Sequence, residues 1–277
     1  MPLTIPEAAT AQGQAAVAKA AQVKRLPLYL ALSVAAGAFV GVAVVLLVSV
    51  SGPLVAAGSP WAKLVQGVVF GVALTLIVFA GAELFTGNAM VMLQGLLART
   101  VTAKDLAAVW VASLVGNLIG SIGFAAVVHG GGTLGVAPPG KPAPGAGLID
   151  AIVAGKHAAT GPQLFWRSVL CNMLVCLALW MAARASGDGA KLAVVWWGLL
   201  AFIGSGFEHS IANMTVFALG VFQGAADWGM LARNLAWTVP GNVVGGGILV
   251  GLLYGWAARP VVVPLAAVPA VPLADPL

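Results

Sequence analysis

Runs of about twenty apolar residues alternate with short polar connections along this chain. They fall near 28–50, 64–97, 106–128, 164–185, 191–222 and 233–256. Twenty apolar residues make a helix that crosses ~30 Å of hydrocarbon, so six membrane spans are predicted. Two of the runs carry polar residues at their centres: Gly81-Ala82-Glu83-Leu84-Phe85-Thr86-Gly87-Asn88 and Gly206-Phe207-Glu208-His209-Ser210-Ile211-Ala212-Asn213. Helix-breaking sequence at membrane depth is tolerated only where it is buried in protein or lines a cavity. The expected fold class is an all-α integral membrane protein of six transmembrane helices, with helices 2 and 5 broken.

The two breaks belong to an internal repeat. Gly81 matches Gly206, Glu83 matches Glu208, Asn88 matches Asn213, Gly116-Asn117 matches Gly241-Asn242, and Gly120 matches Gly245, all at one offset (206 − 81 = 125; 241 − 116 = 125). Each half, about 28–129 and 164–257, holds three spans. An odd number forces opposite orientations, so an inverted 3+3 repeat is expected, a plan that places a site near the bilayer midplane. Gly116/Gly120 and Gly241/Gly245 have the small-xxx-small spacing that lets helices approach closely.

Flanking segments differ in kind. Residues 1–27 form an N-terminal arm; Lys19, Lys24 and Arg25 suit a helix lying at the headgroups, and a loose arm fits equally. They lack the apolar core of a signal peptide. Thr102 and Asp105 have capping-box spacing. Residues 129–160 are the longest polar connection, and residues 259–277, with prolines at 260, 264, 269, 272 and 276, form a tail expected to be disordered or extended. Residues 28–258 are expected to form the transmembrane domain.

Composition agrees: of 277 residues, 61% are hydrophobic and 8% charged, against about 25% charged in soluble domains. The net charge of +5 sits mostly at helix ends, which speaks for membrane orientation and against nucleic acid. With six spans, Lys19, Lys24, Arg25, Arg99, Lys104, Arg184, Lys191 and Arg259 share the side of the termini, and Lys63, Lys141, Lys156, Arg167 and Arg233 face the other. The bias puts both termini in the cytoplasm. Cys171 and Cys176, five residues apart on different helical faces, read as packing residues.

The candidate chemistry lies at the breaks, because intramembrane ionisable residues mark functional sites. Glu83 and Glu208 are either proton carriers or acceptors for the backbone N–H groups each break frees. Thr86 is short, polar and able to reach across a narrow lumen. His209 is the one histidine expected in the bilayer core, and titration near neutrality would let it give a small anion a hydrogen bond or a proton. Glu208-His209-Ser210 is no hydrolase triad, since adjacent residues cannot form the relay. No metal ligand set or cofactor is expected, and no enzymatic activity.

These two break motifs, with Leu170-Cys171-Asn172-Met173-Leu174-Val175-Cys176-Leu177-Ala178 and Leu200-Ala201-Phe202-Ile203, resemble the formate/nitrite transporter family over about residues 25–258. Thr86-Gly87-Asn88, Asn213-Met214-Thr215 and Trp196-Trp197 are closer to its nitrite branch than to its formate branch. The resemblance implies an aquaporin-like fold, a homopentamer in a bacterial inner membrane and one pore per protomer. It implies His209 as the central histidine, Thr86 as the hydroxyl on the first broken loop and Asn172 as the polar partner on span 4. Phe70, Leu74 and Phe202 would form the outer constriction, Leu84 and Val175 the inner one, with Lys156 guarding the outer vestibule. Glu83, Glu208, Asn88 and Asn213 would support the breaks.

The implied activity is a channel or transporter for nitrite or a similar small monovalent weak-acid anion. The solute either crosses as the neutral acid after protonation by or near His209, or crosses charged, solvated by His209 and Thr86. Formate or hydrosulfide permeation, or a non-transporting membrane anchor subunit, are the alternatives.

Overall fold

The computed structural model describes residues 1–135 and 143–259; the tail expected from residue 260 onward lies outside them. The described residues form twelve α-helices: α1 Ile5–Gln22, α2 Leu26–Ala56, α3 Ala62–Phe70, α4 Val72–Ala80, α5 Phe85–Leu97, α6 Ala103–Gly130, α7 Pro144–Ala158, α8 Gly161–Arg184, α9 Asp188–Gly204, α10 Ser210–Phe222, α11 Trp228–Val243 and α12 Leu253–Ala257. A π-helical stretch, Val244–Leu252, joins the last two. Among these residues five helical stretches are long and apolar enough to cross a membrane: Leu26–Ala56, Ala62–Ala80, Ala103–Gly130, Gly161–Arg184 and Trp228–Ala257. The chain is a multi-pass helical membrane protein.

Three further helices are too short to cross alone. α5, α9 and α10 have 13, 17 and 13 residues, where about 20 are needed. Helix α4 stops at Gly81 (φ +79°) and α9 gives way to a turn at Gly206 (φ +74°). Both angles lie in the left-handed region that glycine enters at little cost. The chain resumes as α5 at Phe85 and as α10 at Ser210.

Long helices pack through small residues. A Cβ at Gly120 on α6 would overlap the Val34 carbonyl of α2, and one at Gly245 would overlap the Val169 carbonyl of α8. In lipid no hydrophobic effect drives helices together, so such backbone approach supplies the contact.

One segment differs from the sequence expectation, and the N-terminal arm takes one of the two forms that expectation allowed. The 129–160 connection contains α7, whose Leu148, Ile149 and Val153 are buried against the bundle. Its C-terminal carbonyls, those of His157 and Ala159, accept from Arg233 at 3.1 and 2.8 Å. The N-terminal arm is the helix α1, opened by a Thr4/Glu7 capping box and buried on the side carrying Ala8, Gln12, Gly13, Ala16 and Ala20. The Thr102/Asp105 capping box forms as expected.

Gly120→Val should destabilise the protein by about 1–3 kcal/mol through forced overpacking, read as a lowered melting temperature in detergent. Gly123→Ala is the control: nothing lies within 4 Å of its Cβ position, and it should be neutral or stabilising by about 1 kcal/mol.

Candidate functional site

At each break the chain leaves backbone groups without helical partners, at a depth where each costs several kcal/mol. Two asparagines take them up. Asn117 of α6 accepts from the Phe85 N–H at 2.9 Å, and its amide donates to the Glu83 carbonyl at 2.9 Å and the Ser33 carbonyl at 2.8 Å. Asn242 of α11 accepts from the Ser210 N–H at 2.9 Å and donates to the carbonyls of Glu208 at 3.1 Å and Ser168 at 2.8 Å. The N–H of Glu83 reaches the Leu32 carbonyl and that of Glu208 the Arg167 carbonyl. The same bonds thus recur in both halves.

The glutamates do something else than the sequence suggested. Their carboxylates bind side chains, not backbone N–H groups. Glu83 holds Lys19 of α1 through both oxygens at 2.8 and 2.7 Å, and accepts from Tyr29 and Asn88 at 3.1 Å each. Glu208 pairs with Lys156 of α7 at 2.6 Å and accepts from Asn213 at 2.8 Å. Each break is therefore pinned to a short helix that flanks the bundle.

His209 caps α10. Its Nδ1 accepts from the Ala212 N–H at 3.1 Å, so the ring proton sits on Nε2. That nitrogen faces Thr86 Oγ1 at 3.2 Å and donates to it, leaving the threonine proton free to point elsewhere. The imidazole is 5% exposed and Thr86 fully buried. Phe202 stacks on the imidazole at 5.7 Å, and Phe70 meets Phe202 edge-on at 5.8 Å.

Beside His209 lies a narrow apolar space of about 10 Å³, lined by Phe70, Leu74, Leu84, Val175, Phe202 and His209 among others, which Thr86 approaches only through its hydrogen bond to the histidine. A cavity of about 440 Å³ adjoins it, reaching Phe70, Phe202, His209, Glu208 and Lys156. A second, of about 200 Å³, reaches Leu74, Leu84, Asn88, Gln12 and Lys19 on the α1 side. Two expected placements change. Leu74, expected in the outer ring, lines the constriction and the α1-side cavity. Asn172, like Thr86, lines none of these spaces: its amide donates to the Thr86 carbonyl at 3.1 Å and the Asn242 carbonyl at 2.7 Å. It stands behind Thr86 and holds it, as does the Cys176 thiol, 3.3 Å from the same carbonyl.

Four residues important to this geometry were not singled out as site residues from sequence. Asn117 and Asn242 were visible only as part of the repeat. Arg167 and Lys63 line the larger cavity, and among the described residues neither belongs to an ion pair, whereas Lys156 does.

Two chambers of about 440 and 200 Å³ that meet at a narrow apolar neck beside His209 fit a membrane protein of the channel or transporter class. The chain belongs to the formate/nitrite transporter family, whose profile matches residues 6–256. It is 41% identical over 233 residues to the nitrite transporter NirC of Salmonella typhimurium, covering 82% of each chain. It is 39% identical to a probable formate transporter of Methanothermobacter thermautotrophicus over 88% of this chain and 94% of the other. Among solved structures it is similar to an FNT family ion channel (TM-score 0.82, 37% identity, 92% of this chain and 99% of that one). A pentameric formate channel with formate bound gives a TM-score of 0.67 at 27% identity, covering 85% and 98%.

Glu208→Gln should lower thermal stability markedly, because losing one partner of a mostly buried pair costs about 3–5 kcal/mol. The Lys156→Gln/Glu208→Gln double variant should melt higher than Glu208→Gln. Additive losses in that cycle would show that the pair is not coupled.

Proposed function

We propose that this protein is a channel for nitrite and related small monovalent weak-acid anions. The observation that carries the reading is the His209–Thr86 hydrogen bond beside a narrow neck, lined by His209, between two cavities. The similarity to a nitrite transporter at 41% identity supports nitrite over formate. The probable formate transporter at 39% keeps formate as the second reading. Competitive nitrite and formate flux through the reconstituted protein decides between them.

In this reading residues 28–258 are one channel domain of six crossings. The second is α3–α4 with α5, the fifth α9 with α10, and the halves form an inverted repeat. The matched Asn117 and Asn242 bonds support that symmetry. The termini lie in the cytoplasm, the protein sits in the bacterial inner membrane, and five copies assemble, as in the pentameric relative.

Capture and passage are separate tasks. Lys156 is already neutralised by Glu208, so Arg167 and Lys63 supply the field that draws anions into the outer cavity. On the α1 side the cavity's Lys19 is likewise held by Glu83. At the neck the anion replaces water with the Nε2–H of His209 and the hydroxyl of Thr86. Charging the ring would place a proton on Nδ1 and break its bond from Ala212. The geometry therefore favours a neutral imidazole that donates a hydrogen bond, with any proton reaching the anion from water in the cavities.

His209→Ala should cut nitrite flux in liposomes at least tenfold, while His209→Gln, which keeps a donor, should retain more. Unchanged flux and unchanged pH dependence in both would remove the histidine from the mechanism. With protein inserted in one orientation, Arg167→Gln/Lys63→Gln should raise the half-saturating nitrite concentration severalfold from the outer side only. The difference should vanish near 1 M salt, where the screening length is about 3 Å.

A further inference from the structure

A groove of about 590 Å³ on the outside of the bundle takes no part in this pathway. It runs between the α1–α2 junction and α6, and is lined by Val23, Lys24, Leu26 and Leu30 on one wall and Lys104, Asp105, Ala108, Val111, Ala112 and Val115 on the other. We propose that it binds one anionic phospholipid in the leaflet on the side of the termini, with the phosphate between Lys24 and Lys104.

The two ends of the groove differ in chemistry. At its mouth stand two exposed lysines, and among the described residues neither lies within ion-pair distance of a carboxylate. Asp105 is the one acidic residue there. Its Oδ2 accepts from the Thr102 N–H at 2.9 Å and the Thr102 hydroxyl at 2.7 Å, so it serves the α6 cap. The mouth keeps an excess of positive charge. Below it the walls are wholly apolar, and Leu26 is 48%, Val111 62% and Val115 45% exposed.

Length identifies the occupant. From Lys104 to Val115 the helix rises ~17 Å at 1.5 Å per residue. One leaflet of a ~30 Å hydrocarbon core is ~15 Å deep. A phosphate at the lysines therefore sits at headgroup level, and an acyl chain lying on Val111 and Val115 ends near the midplane. A second copy packed here would have no need of a cationic end and a single-leaflet apolar run.

Native mass spectrometry of the full-length protein, stripped of lipid and titrated with phosphatidylglycerol or phosphatidylcholine, tests this. Wild type should retain phosphatidylglycerol about tenfold or more over phosphatidylcholine, since each lysine near an anionic headgroup contributes on the order of 1 kcal/mol. Lys24→Gln/Lys104→Gln should abolish that preference, Val115→Trp should weaken retention of both lipids by filling the groove, and Lys191→Gln, which removes a lysine elsewhere, should change nothing. An unaltered melting temperature shows that the variants fold. Equal retention of the two lipids by wild type, or an undiminished preference in the double variant, overturns the proposal. So does cross-linking of Val115→Cys between copies in lipid. None of these outcomes depends on which anion the channel carries.

Discussion

A helix that stops inside a membrane must have its open backbone groups met by other protein atoms, and the rest of this structure follows from that requirement. Two asparagine side chains meet it. Asn117 and Asn242 each make three bonds, one to an N–H that opens a half-helix and two to carbonyls. One of those carbonyls, of Ser33 or Ser168, belongs to a neighbouring long helix, so each break is fixed in position as well as satisfied. An asparagine suits the place because one amide offers an acceptor and two donors in a fixed plane. With the breaks rigid, Thr86 and His209 arrive opposite one another from different halves of the chain.

Electrostatics then separates the neck from its approaches. At the neck there is no full charge, only apolar walls and the imidazole, itself hydrogen-bonded to the Thr86 hydroxyl, and a bare ion there loses its hydration and gains little. One step away on either side is a lysine–glutamate pair, Lys19 with Glu83 and Lys156 with Glu208. These pairs hold α1 and α7 against the breaks and cancel much of their own field. What distinguishes the two approaches is that Arg167 and Lys63 border the larger cavity, with no counterpart among the residues lining the smaller one. Under the proposed function, those two cations grade the path of an anion.

Much of this was legible along the chain. Apolar runs of span length, the two interruptions and the offset shared by Gly81, Glu83, Asn88 and Asn117 with their partners are local or periodic features. Helix geometry and the solvent character of lipid translate them directly into elements. The correspondence of the flanking helices was not legible. Ser33 and Ser168 play the same part at a different offset (168 − 33 = 135), and Lys19 and Lys156 at yet another (156 − 19 = 137). Insertions between elements destroy sequence register without disturbing contacts, which is why α7 read as a polar connection.

By itself, then, the sequence determined that the chain is a multi-pass helical membrane protein and that its apolar runs carry polar interruptions at 81–88 and 206–213. Those properties depend on hydropathy and on neighbours a few residues away. Only the tertiary structure decided what each polar side chain touches. It assigned the glutamates to lysines, the open backbone to asparagines, Asn172 to the back of Thr86, and the ring proton of His209 to Nε2. Apart from the Ala212–His209 contact, these bonds join residues more than thirty positions apart, and their direction depends on how helices cross, which no local pattern encodes.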